Sequence, residues 1–271
     1  MPELPEVENI VRGLQDLLGK TIREVRILSS QILRSPTHFS SAKLSQKRLL
    51  AITRKGKHIL FHVEDSLKLI VHLGMTGQIL RDFLQEMDLP DKHTHMIVDF
   101  GREKLYYRDV RKFGFVDCVL LDDASLDRYF KNIGQDPLEV EKGSLVSLLK
   151  KRRTRIKPLL LSQNPVAGLG NIYTDETLFE AGIHPKRKAS RLSEQRLLRL
   201  CDAMRFVLQE AIQKGGSSID DYVRPDGSKG SFQLSHQVYG REGQPCLKCG
   251  SLIKKIKLCG RGTSFCPHCQ R

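Results

Sequence analysis

The chain has 271 residues, enough for two domains and a small appendage, and 39% hydrophobic with 28% charged content places it among chains that fold around a core. Its 45 Lys and Arg against 31 Asp and Glu give a net charge of +14, a balance that points to a polyanionic partner such as nucleic acid. No stretch approaches the roughly 18 apolar residues of a spanning helix, and the acidic start is unlike a signal peptide, so a soluble, non-secreted, cytoplasmic bacterial (or organellar) protein with no membrane partner is expected.

The chain opens MPELPEVE, three carboxylates (Glu3, Glu6, Glu8) with no basic residue before Arg12, an odd start for a basic protein. Val7, Ile10, Val11, Leu14, Leu17 and Leu18 recur at helical spacing, Pro5 suits the first turn and Gly19 a stop, which predicts a helix from Pro5 to Leu18. From Thr21 to about Leu121 the texture changes to short Val, Ile, Leu and Phe-rich segments, TIREVRIL, LLAITRKGKHILFHVE, LKLIVHLGMTGQIL, HMIVDF, KLYY and FGFVDCVLL. Turn residues or charges separate them, predicting an antiparallel sandwich or barrel. After Asp136-Pro137 the pattern is helical: SLVSLLKKRR, IKPLLLSQ, NIYTDETLFEAG and a long helix from Ser193 to Gln213 with one apolar face. SSIDDYVRPDGSKG (217–230) has little apolar content and much turn chemistry, and reads as a mobile loop.

Cys246-x-x-Cys249 and Cys266-x-x-Cys269 place two thiolate pairs on facing turns, the spacing of a four-sulfur zinc ribbon holding one Zn2+. With four protein ligands the metal has no open position and is structural. Cys259 and His268 lie nearby but outside the paired spacing, while Cys118 and Cys201 read as buried apolar side chains. The ribbon carries Lys248, Lys254, Lys255, Lys257 and Arg261, a clamp for phosphates. A second basic segment runs from Lys142 to Thr174 with seven Lys or Arg and no acid, and QNPVAGLGN joins two predicted helices there. Free amides at the second helix start suit an anion; a merely solvated basic face fits the composition equally. HLGM (72–75) and DVRKFG (109–114) put Met75, Arg111 and Phe113 near loop tips, where bulky groups can wedge into a base stack, although Met75 and Phe113 taken singly suit a core.

Taken together, PELPEVE, KGKHIL, HLGMTG, DVRKFG, IKPLLL, AGLGNIYTDE, AGIHP, GGSS, QVYGREGQPC and GRGTSFCPHCQ resemble the formamidopyrimidine-DNA glycosylase family from end to end. The resemblance implies an α+β multidomain fold. A β-sandwich with an N-terminal helix (1–135) is followed by a helix-two-turn-helix domain with a lesion-capping loop (136–235) and a zinc-ribbon hairpin (236–271). It implies excision of 8-oxoguanine and formamidopyrimidines, with strand cleavage by β,δ-elimination. In the family the initiator Met is removed and the proline amine, here Pro2, attacks the sugar. Amines at a chain start titrate near about 8, and a following helix N-terminus lowers this further, so a useful fraction is uncharged. By the same resemblance Glu3 is the acid acting on the sugar, Lys57 the catalytic lysine, and Arg261 the residue of the δ step. Met75, Arg111 and Phe113 fill the void left by the extruded base, and His72, His93, Arg152, Lys157 and Asn171 bind phosphates. Glu6, Ser217, Ser218 and Tyr222 fall at the lesion pocket, with a charge in the first helical turn as the alternative for Glu6 and a solvent-facing position for Glu8. The expected partner is double-stranded DNA with oxidised purines or abasic sites, bound by a monomer. Two rivals stand beside this reading: an endonuclease VIII-like enzyme acting on oxidised pyrimidines, and a non-catalytic zinc-ribbon DNA-binding protein.

Overall fold

In a computed structural model, which describes residues 1–36, 39–81, 89–120, 122–219 and 221–271, the first helix, α1 (Leu4–Arg12), is shorter than the apolar spacing predicts. It stops at Gly13, a residue that costs about 1 kcal/mol inside a helix relative to Ala, and the chain continues as a 3-10 turn, Gln15–Leu17. Leu14 and Leu17 remain fully buried, so the spacing reported burial while the backbone changed pitch.

Among the described residues nine strands follow: β1 (Thr21–Ile22), β2 (Glu24–Ile27), β3 (Lys47–Lys55), β4 (His58–Val63), β5 (Leu67–His72), β6 (Gly77–Arg81), β7 (Thr94–Asp99), β8 (Lys104–Asp109) and β9 (Phe115–Leu120). They form two antiparallel sheets ordered β1-β3-β4-β5-β9 and β2-β7-β8-β6. TIREVRIL thus divides between the sheets at Arg23. One core joins both sheets to α1, with Val7, Ile10 and Val11 of the helix packed among Leu49, Ile59, Val71, Val98, Tyr107 and Val116. This is the expected sandwich. A short helix that the sequence pattern did not disclose, α2 (Asp123–Tyr129), follows; Asp122 caps it by accepting the Ser125 N–H at 2.8 Å.

The helical part comprises α3 (Lys142–Lys150), α4 (Ile156–Leu161), α5 (Asn171–Glu180) and α6 (Glu194–Gln213). The long helix buries the expected face, Leu197, Leu200, Cys201, Met204, Val207, Leu208, Ala211 and Ile212. A two-stranded hairpin, β10 (Lys254–Leu258) and β11 (Arg261–Phe265), packs against α5. The chain divides into two compact units, 1–131 with 214–231, and 132–213 with 232–271. These units differ from the expected three-way division. The 214–231 segment folds with the sandwich, and the ribbon forms one body with the helices.

That segment was expected to be a mobile loop with the helical domain. Instead the Arg81 N–H donates to Pro225 O at 3.0 Å, the Gln78 side chain bonds Asp221 O, and the Ser231 N–H returns to Lys214 O at 2.9 Å. Polar composition concealed a segment tied to the sandwich through the carbonyls of Asp221 and Pro225 and closed on itself between Lys214 and Ser231. Among the described residues no helix is long and apolar enough to cross a membrane.

Candidate active site and zinc centre

Pro2 is buried directly ahead of α1, while Met1 is exposed. Glu3 is the N-cap residue, with extended backbone, and it forms a reciprocal capping box with Glu6. The Glu3 N–H donates to Glu6 Oε2 at 2.8 Å, and the other Glu6 oxygen accepts the Ser217 N–H at 2.8 Å. Both side chains are almost wholly buried, 2% and 1% exposed. Glu6 is therefore more than a favourable charge in the first turn, because it ties the chain start to the 214–231 segment. Gly216 permits this approach: its φ is +82°, and a Cβ there would lie 2.8 Å from Glu6 Oε1.

Glu8 was expected to face solvent. Instead it is half-buried and accepts Arg54 Nε at 2.9 Å as well as Arg12 Nε at 2.8 Å. The two guanidinium groups hold its carboxyl below the ordinary range against the opposing effect of burial. Arg54 also donates to Gly56 O at 3.4 Å, strapping α1 to the β3–β4 turn that carries Lys57. Lys57 is itself 8% exposed. Pro2, Glu3 and Lys57 thus belong to one body, and a helix cap, an ion pair and a tight turn hold their backbones.

In the 214–231 segment, Ser218 Oγ accepts the Gly230 N–H at 2.9 Å. Tyr222, expected at the lesion pocket, is instead packed into the sandwich core, and its hydroxyl donates to Gly215 O at 3.2 Å. Its large apolar ring is worth more buried than exposed, so it anchors the segment. Burial also pushes its hydroxyl well above the ordinary tyrosine range.

Arg111 and Phe113 are exposed at the β8–β9 turn, the guanidinium 4.4 Å from the centre of the Phe113 ring, and Met75 is half-buried at the β5–β6 turn. The organiser of both turns is Asp109, which is fully buried. Its Oδ1 accepts the Thr76 hydroxyl and the Arg111 N–H (3.2 Å), and its Oδ2 accepts the Gly114 N–H (2.9 Å) and the Tyr107 hydroxyl (3.3 Å). One carboxylate therefore fixes the two turns that carry the candidate wedges. Their backbones meet at Gly74, where a Cβ would overlap Gly114 N and Phe113 C and where φ is +59°. His93 joins this group through its carbonyl, which accepts the Asp109 N–H at 3.0 Å.

His72, expected to bind phosphate, stacks on Phe115 (5.3 Å, 12°) beside His58 (4.8 Å), and Nδ1 accepts the Gly74 N–H at 3.1 Å. Burial first, then the charges of His58, Lys57 and Arg34, lower its pKa to about 3. It is neutral at pH 7 and offers an N–H donor, not a charge.

In the second unit Asn171 opens α5 after a turn shaped by Gln163, whose side-chain oxygen accepts the Gly168 N–H at 2.8 Å. The Asn171 Oδ1 atom is buried without a hydrogen-bond partner among the described residues. Arg152 is exposed and reaches Asn164 Oδ1 in that same turn at 3.4 Å. Lys157 requires a correction. Expected at a phosphate, it is fully buried; its Nζ pairs with Asp175 Oδ1 at 2.7 Å and donates to Gly262 O at 3.1 Å. An ammonium so enclosed is committed to its carboxylate and is inaccessible to DNA.

Asp175 and Glu176 escaped the sequence reading, although adjacent acids in a buried helix were a visible signal. Asp175 Oδ2 accepts the Ser264 N–H of β11 at 2.9 Å, while Glu176 accepts the N–H groups of Gln237, Val238 and Tyr239 at 2.8, 3.0 and 2.8 Å. These carboxylates seat the ribbon on α5. Burial raises the carboxyls of both, opposed by Lys157 for Asp175 and by the three N–H groups for Glu176. Arg261 is exposed at the ribbon tip, following a two-residue turn in which Cys259 and Gly260 have φ of +49° and +73°. Of the other ribbon cations, Lys248 pairs with Glu180 at 2.8 Å and Lys255 with Glu242.

The Sγ atoms of Cys246, Cys249, Cys266 and Cys269 lie within 4.8 Å of one another. Two separations are 3.9 Å (Cys246–Cys269) and 3.5 Å (Cys249–Cys266), straddling the edge of about 3.8 Å that zinc bonds of about 2.3 Å give a tetrahedron. The donor set fits one structural zinc ion.

Three family models cover the chain: the formamidopyrimidine-DNA glycosylase N-terminal domain at residues 1–116, the H2TH domain of the same enzyme at 133–223, and a zinc finger found in that enzyme and IleRS at 243–271. Proteins named formamidopyrimidine-DNA glycosylase from Solibacter usitatus and Brevibacillus brevis are 43% and 42% identical, over all of this chain and 100% and 99% of theirs. Among solved structures, a Lactococcus lactis enzyme variant bound to Fapy-dG DNA has a TM-score of 0.91 at 38% identity, covering all of both chains. Complexes of the same species' enzyme with abasic-site DNA (99% of both chains) and with oxidised-pyrimidine DNA (all of both chains) each give 0.90, again at 38% identity. With its sandwich, helix-two-turn-helix and four-cysteine ribbon aligned end to end with these relatives, the chain belongs to the formamidopyrimidine-DNA glycosylase family.

Proposed function

We propose that this protein is a bifunctional DNA glycosylase and AP lyase that removes oxidised purines from duplex DNA. The observation that carries the reading is the proline buried directly before the Glu3–Glu6 capping box, in a chain matched over its whole length by relatives of this name.

Once Met1 is removed, the Pro2 amine attacks C1′ of the damaged nucleotide. The C1′–base bond breaks, the base leaves with its electron pair and takes up a proton, and loss of the sugar ring bond gives an imine to the chain. Glu3 donates the proton that opens the ring at the sugar oxygen. The cationic imine acidifies the C2′ proton, whose loss expels the 3′ phosphate. Arg261 neutralises the phosphate that departs in the second, δ elimination, and water returns the free amine. Lys57 supplies a cation to the phosphate beside the reacting sugar. Met75, Arg111 and Phe113 fill the space vacated by the extruded base, offsetting the few kcal/mol that unstacking costs. His93, Asn171 and Arg152 contact the backbone, and Ser217 and Ser218 border the base. Zinc, held by the four cysteines, keeps the ribbon folded and supplies no step. The protein acts as a monomer in the bacterial cytoplasm, where its duplex substrate lies.

A second reading, excision of oxidised pyrimidines, has the Lactococcus lactis enzyme's oxidised-pyrimidine complex in its favour. Single-turnover assays on 8-oxoguanine opposite cytosine and on thymine glycol separate the two. Faster release of the oxidised purine, with phosphate left at both strand ends, is the expected result; a preference for thymine glycol would reverse the assignment.

A further inference from the structure

Two acid-free segments in the second unit, KKRRTR (150–155) and KRKASR (186–191), run side by side in opposite directions. Arg155 bridges Lys188, the Ile156 N–H donates to Arg187 O at 2.7 Å, the Ala189 N–H to Thr154 O at 3.0 Å and the Ser190 N–H to Arg152 O at 3.0 Å. Lys150 Nζ closes one end on Leu192 O. Ile156, Ala189 and Leu192 are buried beneath, so the pairing is fixed by a core and not by its charges.

Besides Lys150, eight Lys and Arg side chains of this ribbon are exposed, and none has a carboxylate partner among the described residues. Like charges crowded on one paired surface repel one another, so the fold holds together a surface that opposes its own assembly. Duplex DNA, with one negative charge per about 1.7 Å of axis, is a partner able to offset this. The patch is also continuous with the interface proposed above, since Arg152 reaches Asn164 in the turn before Asn171. The segment 186–191 has no part in the chemistry of Pro2, Glu3, Lys57 or Arg261.

We propose that this paired basic ribbon is a second, sequence-independent contact for duplex DNA, engaging phosphates outside the lesion site and holding the protein on undamaged duplex. The inference rests on the DNA-repair reading, and its test separates the two. In the triple variant K186Q/R187Q/K188Q the backbone pairing is untouched, and an unchanged thermal melt verifies the fold.

On a lesion-free duplex of about 40 base pairs, the slope of log affinity against log salt should become shallower by about 0.9 for each phosphate the variant no longer neutralises, about one to three phosphates in all. Excision of two lesions in a single encounter should fall correspondingly. Single-turnover excision from a duplex of about 12 base pairs, little more than one helical turn, should match the wild type. The charge-preserving variant Arg187→Lys should keep the wild-type slope.

An unchanged salt slope and unchanged two-lesion excision in the triple variant would overturn the inference. So would an unchanged slope combined with lost binding of a polyglutamate peptide, which would place an acidic protein segment on the patch. If the wild type itself fails to excise from the short duplex, the repair reading fails instead.

Discussion

Replacing Asp109 with Asn tests how the wedges are positioned. The carboxylate accepts four hydrogen bonds from Thr76, Arg111, Gly114 and Tyr107, and it is fully buried. An Asn keeps one acceptor oxygen and turns an NH2 group toward either the Gly114 N–H and Tyr107 hydroxyl or the Arg111 N–H and Thr76 hydroxyl. At least one charge-assisted hydrogen bond is lost and one buried donor is orphaned, a cost of about 2–4 kcal/mol. Since every 1.4 kcal/mol is about a factor of ten in rate, a loss borne by the wedge turns lowers kcat/KM on an 8-oxoguanine duplex by about 10- to 100-fold even if binding restores part of it. Cleavage at a preformed abasic site, which requires no base to be extruded, should fall less than about tenfold. Urea unfolding measures the stability loss alongside. If Asp109→Asn excises at the wild-type rate, or if excision and abasic cleavage fall in parallel, the carboxylate does not position the wedges.

Gly74→Ala should act in the same direction, because its Cβ would overlap the Phe113 and Gly114 backbone at a positive φ; wild-type excision and stability in this variant would contradict the close approach. His58 and His72, lowered to about 4 and about 3 chiefly by burial, bind fewer protons folded than unfolded below the ordinary value of 6.5. Their stabilisation is complete above that value and is lost as pH falls, by about 2 kcal/mol per histidine at pH 5; urea titrations at pH 7 and 5 on wild type and His58→Gln should show the variant less pH-sensitive. Cys249→Ser should release zinc and weaken DNA binding through ribbon unfolding, so undiminished metal content and affinity would argue against the four-sulfur centre. Lys157→Met, which leaves Asp175 buried without its ammonium, should destabilise by about 3–5 kcal/mol, whereas an ordinary phosphate contact would cost affinity alone.

Residues whose chemistry is fixed by local spacing were legible without coordinates. The two Cys-x-x-Cys pairs announced the metal centre, apolar runs between turn residues announced the strands, and the apolar stripe of α6 gave its buried face except for Ala203. Groups whose meaning depends on distant partners were not. Asp109 acts on Thr76, and Glu6 on Ser217. Glu8 looked solvent-facing because Arg54 lies 46 residues away in sequence. Lys157 resembled its basic neighbours, yet only the fold reveals that Asp175 encloses it. The 214–231 segment misled for a related reason: its few apolar residues include Tyr222, and one such anchor in a core fixes a segment that composition describes as polar.

The account turns on the nitrogen of Pro2. Borohydride reduction of the mature protein with abasic duplex DNA, followed by peptide mass mapping, should find one DNA adduct on an N-terminal peptide that starts at Pro2, and no adduct on chains that retain Met1. An adduct on Lys57 or another lysine, or full excision by protein that still carries Met1, would contradict it.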